Sequence, residues 1–197
     1  AYSRSDARGR DLTLRGLGVK FTPMQDVATR AQGIKIAIFD VDGVMTDGTL
    51  FLNDSGEEIK AYNVLDGHGL KMLKRSGVEL AIITSRTSRS VERRAENLGI
   101  THLYQGSENK LATFNSLLGA LQLSAAEASY MGDDLLDLAV LRRAGFAVTV
   151  PDAPAFVKHH AHYVTQARGG HGAVRECCEL IMSHQGTLQA LQESYLS

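Results

Sequence analysis

Carboxylate side chains follow two of the apolar runs in the sequence. Asp40 and Asp42 come directly after Ile36–Phe39, and a later apolar run is followed by three further acids, Asp133, Asp134 and Asp137. Like charges this close repel one another, and burial adds to the free energy that their ionisation costs. A hard cation with few protein ligands and room for water and phosphate would offset that repulsion, and Mg²⁺ fits this description better than Ca²⁺. Any one of these acids alone would indicate an ordinary surface residue, but the two groups together predict a magnesium site.

The two acid groups can meet only if their strands lie in one sheet. From residue 34 onward, short apolar runs alternate with helix-like segments. This alternation predicts an α/β fold with a Rossmann-like parallel sheet and helices on both faces. The carboxyl ends of the strands converge in such a sheet, and ligands bind beyond them. Thr84, at the end of another apolar run, is therefore expected to join Asp40 and Asp133 at one edge.

Turn and cap signals predict the remaining elements. Residues 49–63 are expected to form a β-hairpin inserted after the first strand, with its turn at residues 53–56. Helical periodicity and caps predict helices over 69–77, 88–97, 110–121, 135–145 and 172–183. The connections between these elements are too short for an independent cap domain of at least about 50 residues. Within a single chain, the site is therefore expected to be open to solvent.

Composition limits the class of protein. The chain has 197 residues, of which 44% are hydrophobic and 22% charged, and its formal net charge is −1. These values predict a globular domain with neither a nucleic-acid nor a membrane partner. Cys177 and Cys178, the only cysteines, are adjacent and poorly placed to bridge each other, which favours a cytoplasmic location.

The two ends of the chain differ from its middle. Residues 1–32 are rich in Arg, Gly and Ser with weak periodicity, and they predict a flexible N-terminal extension. The folded domain is expected over residues 33–186, and a C-terminal tail over residues 187–197.

The motifs that carry chemistry occur in a characteristic order. "DVDGV" follows the first strand, Thr84 ends the second, Lys110 opens a later helix and "GDDLLD" follows a further strand. This combination resembles the haloacid dehalogenase-like phosphatases. The resemblance implies that Asp40 attacks phosphorus and forms an aspartyl-phosphate, while Asp42 protonates the leaving oxygen and later activates water. It also implies that Lys110 neutralises charge and that Thr84 hydrogen-bonds a phosphoryl oxygen.

The resemblance extends to the metal. It implies that Mg²⁺ is held by Asp40, by the main-chain carbonyl of Asp42 and by Asp133. Asp134 and Asp137 are expected to hold the loop or waters outside the metal's own ligands.

Further segments, among them "LDGHGLKML" and "ARGGHGAVRE", resemble a narrower group within the family that acts on sugar-acid phosphates. This likeness implies an eight-carbon sugar-acid 8-phosphate as substrate, in lipopolysaccharide precursor synthesis. It also implies a homotetramer in which the hairpins pack together and the Gly-rich segment lies near a neighbour's site. Arg86, Gly170 and Arg175 are the expected substrate contacts, although the Gly-rich segment is also consistent with a turn before an ordinary helix.

Two other functions stay open from the sequence. A phosphatase of nine-carbon sugar-acid 9-phosphates would use the same motifs, because the length of the sugar is read by the shape of the pocket. A catalytically silent binding module on the same fold is the third possibility. The presence of Asp40, Asp42, Lys110 and Asp133 together argues against this last function.

Overall fold

A parallel sheet forms the centre of the structure, which is a computed structural model that describes residues 24–196. The strands in chain order are β1 (Ile36–Phe39), β2 (Phe51–Leu52), β3 (Glu58–Ile59), β4 (Glu79–Ile83), β5 (His102–Tyr104), β6 (Ala128–Met131), β7 (Phe146–Thr149) and β8 (Tyr163–Val164). Six of them form one sheet in the order β5-β4-β1-β6-β7-β8, and every neighbouring pair is parallel. The predicted α/β fold is confirmed.

Strand β1 sits in the middle of this sheet because its four residues are apolar and fully buried. Phe39 lies opposite Ile82 of β4 on one side and Met131 of β6 on the other. The chain order therefore reverses at β1. A crevice at such a switch point is where parallel sheets bind their ligands, and Asp40 is the first residue beyond the strand.

Helices connect the strands and cover the sheet. They are α1 (Met24–Gln32), α2 (Val64–Arg75), α3 (Arg89–Leu98), α4 (Lys110–Leu121), α5 (Leu138–Leu141), α6 (Ala155–His159), α7 (Ala173–His184) and α8 (Leu188–Glu193). Helix α7 packs against α1, α2 and α8, whereas α4 packs against α5 and β4. Within residues 24–196, no helix is both long and apolar enough to cross a bilayer.

The N-terminal boundary of the packed structure differs from the prediction. Helix α1 lies within the segment expected to be a flexible extension, and its Val27 and Ala31 are buried in the main core. These two apolar residues are four positions apart on one helical face, which is the spacing of a packed helix. Residues 1–23 of the predicted extension lie outside the described residues. At the other end, α8 occupies part of the predicted C-terminal tail.

Helix α2 begins earlier than the predicted start at residue 69. Asn63 caps it by accepting a hydrogen bond from the Leu65 N–H group at 2.8 Å. The glycines that weaken the helical signal allow close packing instead. A Cβ atom on Gly67 would collide with the guanidinium group of Arg94 on α3.

The predicted hairpin is present after β1 as the antiparallel pair β2 and β3. Its turn is held by Asn53, whose side-chain oxygen accepts hydrogen bonds from the N–H groups of Ser55 and Glu57. Among residues 24–196, this hairpin is the insertion between β1 and α2, and no cap domain accompanies it there.

The helix predicted over residues 135–145 is shorter than expected. A 3₁₀ turn covers Leu135–Asp137, and regular α-helix is confined to Leu138–Leu141. The turn is tight because the Asp137 side chain points back to the start of its own loop and accepts hydrogen bonds from the N–H groups of Asp133 and Asp134.

Candidate active site

Asp40 and Lys110 form a buried ion pair at the carboxyl end of β1. Asp40 is fixed by its N–H group, which donates to the Met131 carbonyl of β6 at 2.9 Å. Lys110 opens helix α4, directly after the cap residue Asn109. Its ammonium nitrogen lies 2.7 Å from Asp40 Oδ2 and 2.7 Å from Asp137 Oδ1. A single buried cation therefore joins two carboxylates from different strand ends.

The environment of this pair changes the pKa values of its members. Burial and the charge of Asp137 raise the pKa of Asp40 to about 6, although Lys110 opposes the rise. Burial alone would lower the pKa of Lys110, but the charges of Asp40 and Asp137 outweigh it and raise that pKa. Lys110 thus stays a cation, while Asp40 needs more positive charge nearby to be fully ionised at neutral pH.

Asp137 organises the acidic loop that follows β6. Its Oδ2 atom accepts hydrogen bonds from the N–H groups of Asp133 and Asp134, at 3.0 and 3.1 Å. Its Oδ1 atom accepts from Lys110 and, at 2.6 Å, from the hydroxyl of the fully buried Tyr130. Four donors therefore engage its two oxygens, so the carboxylate is committed to holding the loop.

Three carboxylates are close enough to share a cation. One oxygen each from Asp40, Asp133 and Asp137 lies within 4.8 Å of the others. Asp40 Oδ1 is buried and has no hydrogen-bond partner among residues 24–196. Burial and the charges of Asp137, Asp40 and Asp134 raise the pKa of Asp133 to about 7. An oxygen-lined, electron-rich site of this kind suits a hard divalent ion such as Mg²⁺.

Gly43 makes the close approach of Asp133 possible. The glycine has a φ angle of +81°, in the left-handed region, and a Cβ atom there would collide with the Asp133 carboxylate. Since Asp137 is already saturated with hydrogen bonds, Asp40 and Asp133 are the side chains best placed to bind a metal. The Asp42 carboxylate instead contacts Lys60 and lies near Arg86, which leaves its main-chain carbonyl as the predicted ligand.

A cavity of about 210 Å³ opens above the acids. Its walls contain most of the residues predicted for the site, which are Asp40, Asp42, Thr84, Arg86, Lys110, Asp133, Asp134 and Asp137. Thr84 is buried, with its N–H group bonded to the Tyr104 carbonyl at 2.9 Å, whereas the Arg86 side chain is half exposed. The cavity is therefore small and lined mainly by charged side chains, with an arginine at its rim.

Two predicted substrate contacts lie elsewhere in this chain. Arg175 does not line the cavity, because its Nε atom donates to Glu179 of its own helix at 2.7 Å. Gly170 packs behind the loop after β1, where its N–H group donates to the Val44 carbonyl at 3.0 Å. A Cβ atom on Gly170 would lie 2.6 Å from the Asp47 nitrogen, so the lack of a side chain serves close packing. Neither residue lines the cavity of its own chain.

The hairpin supplies two residues that sequence reasoning missed. Lys60 and Glu58 lie beside the cavity, and the Lys60 ammonium contacts both Asp42 and Glu58. Glu58 also accepts a hydrogen bond from Arg86 at 2.6 Å. The sequence contains one signal for this pair, since residues two apart on a strand share a face. It does not show that this face of the hairpin folds over the end of β1.

Comparison with known proteins agrees with the observed fold. A family model described as haloacid dehalogenase-like hydrolase matches residues 53–150. The chain belongs to this family of haloacid dehalogenase-like hydrolases.

Specific relatives within the family share most of their length with this chain. The 3-deoxy-D-manno-octulosonate 8-phosphate phosphatase of Yersinia pestis is 48% identical over 164 residues, which are 83% of this chain and 88% of the relative. The phosphatase of the same name from Escherichia coli (strain K12) is 47% identical, over 83% of this chain and 87% of the relative.

A solved structure shows the same fold. The 3-deoxy-D-manno-octulosonate 8-phosphate phosphatase of Moraxella catarrhalis, in complex with a magnesium ion, a phosphate ion and a molecule of KDO, superposes with a TM-score of 0.86. The two sequences are 42% identical, and the match covers 88% of this chain and 99% of the other.

Proposed function

We propose that the protein is a Mg²⁺-dependent phosphatase that hydrolyses 3-deoxy-D-manno-octulosonate 8-phosphate to the free sugar acid and phosphate. The observation that carries the proposal is the Asp40 carboxylate, paired with Lys110 and facing Asp133 at the switch point of the sheet. The chain matches phosphatases named for this substrate over 88% and 99% of their length, which supports the choice of substrate. The reaction belongs to the synthesis of the lipopolysaccharide precursor.

Asp40 is the proposed nucleophile. One carboxylate oxygen of Asp40, which lines the cavity, attacks phosphorus, the bond between phosphorus and the sugar oxygen breaks, and an aspartyl-phosphate forms. This step requires Asp42 to be protonated when the substrate is bound; it gives that proton to the departing sugar oxygen and then, as a carboxylate, takes a proton from the water that hydrolyses the intermediate. Lys110 balances negative charge on Asp40 and on the transferring group, and Thr84 hydrogen-bonds a phosphoryl oxygen.

Asp40, Asp133 and the main-chain carbonyl of Asp42 are the proposed ligands of Mg²⁺. When bound, the ion supplies positive charge to the phosphoryl oxygens and makes ionisation of the crowded carboxylates favourable. Asp137 keeps Asp133 in place through the loop N–H groups, and Asp134 caps the following turn by accepting from the Leu135 N–H group at 2.7 Å. Asp134 and Asp137 thus support the site without binding phosphate.

The sugar acid needs more room than the phosphate cavity offers. A second groove of about 400 Å³ shares Gly43, Gly48 and Asp133 with that cavity and extends to Arg168 and His171. This groove is the proposed place of the sugar, with Arg86 at the rim as an additional anion contact. Gly170 and Arg175 remain proposed contacts only for the site of a neighbouring subunit.

The proposed working unit is a homotetramer. Four apolar side chains of the hairpin region are exposed by 47–65%, and they are Leu50, Phe51, Leu52 and Ile59. Packing the hairpins of several subunits together would cover this apolar surface and provide a wall over the open site. A cytoplasmic location is also proposed, supported by the two free, buried thiols of Cys177 and Cys178.

A phosphate-release assay across a panel of sugar phosphates tests the proposed function. The panel contains the eight-carbon sugar-acid 8-phosphate, nine-carbon sugar-acid 9-phosphates and simple hexose phosphates, each with Mg²⁺ and with EDTA. We expect the highest kcat/KM for the eight-carbon acid and no turnover in EDTA. Faster hydrolysis of a nine-carbon sugar-acid 9-phosphate would identify that compound as the substrate instead. An absence of hydrolysis across the panel would support a silent binding module.

A further inference from the structure

Lys60 is a buried cation to which the reaction scheme gives no role. It directly follows strand β3 of the hairpin, and only 1% of its side chain is exposed. Its ammonium group contacts Asp42 Oδ1 and Glu58 Oε1. Removal of an ammonium group from water is costly unless it is paired, so these two carboxylates account for its stability in the fold.

Lys60 belongs to a closed ring of four charged side chains. Glu58 Oε2 accepts hydrogen bonds from Arg86 Nη2 at 2.6 Å and from Arg86 Nε at 3.2 Å. Arg86 Nε in turn lies 3.9 Å from Asp42 Oδ2, which closes the ring. The ring contains two cations and two anions. It connects the hairpin to the loop after β1 and to the loop after β4.

The two cations of the ring differ in their freedom. Arg86 is 48% exposed, so it can leave the ring and contact a ligand. Lys60 is enclosed and can leave only by breaking both of its ion pairs. Lys60 is therefore the permanent partner of Asp42.

We propose that Lys60 is a positioning residue for the proton-transfer step, which it serves by fixing one oxygen of Asp42 so that the other stays free to carry the proton. Asp42 Oδ2 is buried and has no hydrogen-bond partner among residues 24–196, so it becomes available for that transfer when the half-exposed Arg86 moves aside. The proposal rests on the function proposed above. It adds a residue of the hairpin, through its contact with Asp42, to the residues that determine the rate.

A comparison of two leaving groups tests whether Lys60 positions Asp42 for proton transfer. When Asp40 attacks phosphorus, the bond to the sugar oxygen breaks and the Asp42 proton moves to that oxygen, because an alkoxide is a poor leaving group. A 4-nitrophenolate ion leaves without a proton. Misplacement of Asp42 should therefore slow the release of an alcohol far more than the release of the phenolate.

The test measures release of the leaving group in the first turnover by rapid quench. The Lys60→Met variant replaces the cation by a flexible apolar chain, and Lys60→Gln is the second variant in case the first fails to fold. Lys35→Met is the matched control, since Lys35 forms an ion pair with Glu127 away from the site. The substrates are 3-deoxy-D-manno-octulosonate 8-phosphate and 4-nitrophenyl phosphate, both with Mg²⁺.

We expect the folded Lys60 variant to release the sugar about 10- to 100-fold more slowly, while release of 4-nitrophenolate falls by less than about threefold. The control should match the unmodified protein on both substrates. Equal losses on the two substrates would overturn the proposal and make the ring a structural network only. Unchanged rates on both would overturn it as well.

The outcome is separable from the proposed function. If the unmodified protein hydrolyses 4-nitrophenyl phosphate but not the eight-carbon sugar-acid phosphate, the substrate assignment fails. The same comparison is then made with the best alkyl phosphate of the panel, and the selective loss on the alkyl ester again decides the role of Lys60.

Discussion

The Lys110 ammonium lies 2.7 Å from Asp40 Oδ2, and this contact joins the first residue of helix α4 to the first residue beyond strand β1. The sequence separates the two residues widely, but the parallel sheet brings their elements to one edge. Lys110 also contacts Asp137 at 2.7 Å. Its charge therefore offsets two carboxylates, one of which we propose as the nucleophile.

Replacement of Lys110 by Met should destabilise the fold as well as stop catalysis. Removal of one partner of a buried ion pair leaves an unpaired charge, which typically costs about 3–5 kcal/mol. We expect a loss of this order in the free energy of unfolding, measured with urea in EDTA at about pH 8. Lys35→Met, which removes the ion pair of a mostly exposed lysine, should leave the free energy of unfolding nearly unchanged. Equal free energies of unfolding for the two variants would show that the ion pairs of Lys110 do not stabilise the fold.

Asp40→Asn should remove activity and leave the fold intact. The amide cannot attack phosphorus, so turnover should fall by at least about 10⁴-fold. Asp40 is also crowded by the charge of Asp137, so a neutral side chain should leave the melting temperature unchanged or higher. Steady-state kinetics and thermal unfolding are measured on one preparation. A variant that folds normally and retains near-normal turnover would exclude Asp40 as nucleophile.

Mg²⁺ should stabilise the protein more at about pH 8 than at about pH 5.5. Without metal, the pKa of Asp40 is raised from 3.8 to about 6 and that of Asp133 from 3.8 to about 7. The folded protein therefore binds more protons than the unfolded chain between pH about 4 and about 7. The contribution of these groups to the free energy of unfolding decreases as the pH rises through this range.

The ionised carboxylates present at the higher pH are the forms that bind the metal. With Mg²⁺ at about 100 times its Kd, the expected gain is about 2.7 kcal/mol. Thermal unfolding in EDTA and in Mg²⁺ at both pH values measures the difference. A gain at pH 5.5 that equals or exceeds the gain at pH 8 would contradict the assignment of Asp40 and Asp133 as ligands.

The exposed hairpin surface should determine the oligomeric state. Phe51 lies opposite Ile59 in the hairpin, and both side chains are at least half exposed. A charge placed there should oppose association, because its burial in an apolar interface is costly. We expect Phe51→Glu to convert the proposed tetramer into smaller species in sedimentation experiments. Phe156→Glu, at another exposed apolar position, should leave the tetramer unchanged. A fully active monomer of the unmodified protein would refute the proposed assembly.

The positions of the acids could be predicted from the sequence because they depend on local patterns. A buried run such as Ile36–Phe39 predicts a strand, and strand–helix alternation determines where parallel strands end. It is therefore possible to predict, without any knowledge of side-chain contacts, that Asp40, Thr84 and Asp133 lie close together. Lys110 is identified only through the order of the motifs, since a lysine at the start of a helix is usually solvated.

Contacts that depend on the path of a loop could not be predicted in this way. Lys60 meets Asp42 because the hairpin folds back over the end of β1, and no periodicity encodes that direction. The start of helix α2 could not be predicted because a glycine such as Gly67 weakens the helical signal. In the structure, the missing side chain of Gly67 instead leaves space for the guanidinium group of Arg94. Because arginines bind anions, the sequence predicts Arg175 as a substrate contact. Within this chain, however, the Arg175 guanidinium group already forms an ion pair with Glu179.

The most direct test of the proposed mechanism is the location of the covalent intermediate. Asp42→Asn protein retains the nucleophile but lacks the group that protonates the leaving oxygen and activates water, so it should accumulate phosphoenzyme from an ester whose leaving group needs no proton. The variant is mixed with 4-nitrophenyl phosphate, whose leaving group needs no proton, and Mg²⁺, then quenched in acid, digested and analysed by mass spectrometry. We expect a single phosphoryl group on the peptide that contains Asp40, and none when Asp40 is also changed to Asn. A phosphoryl group on another residue, or turnover by the Asp42→Asn variant at the normal rate with no phosphoenzyme, would contradict the mechanism.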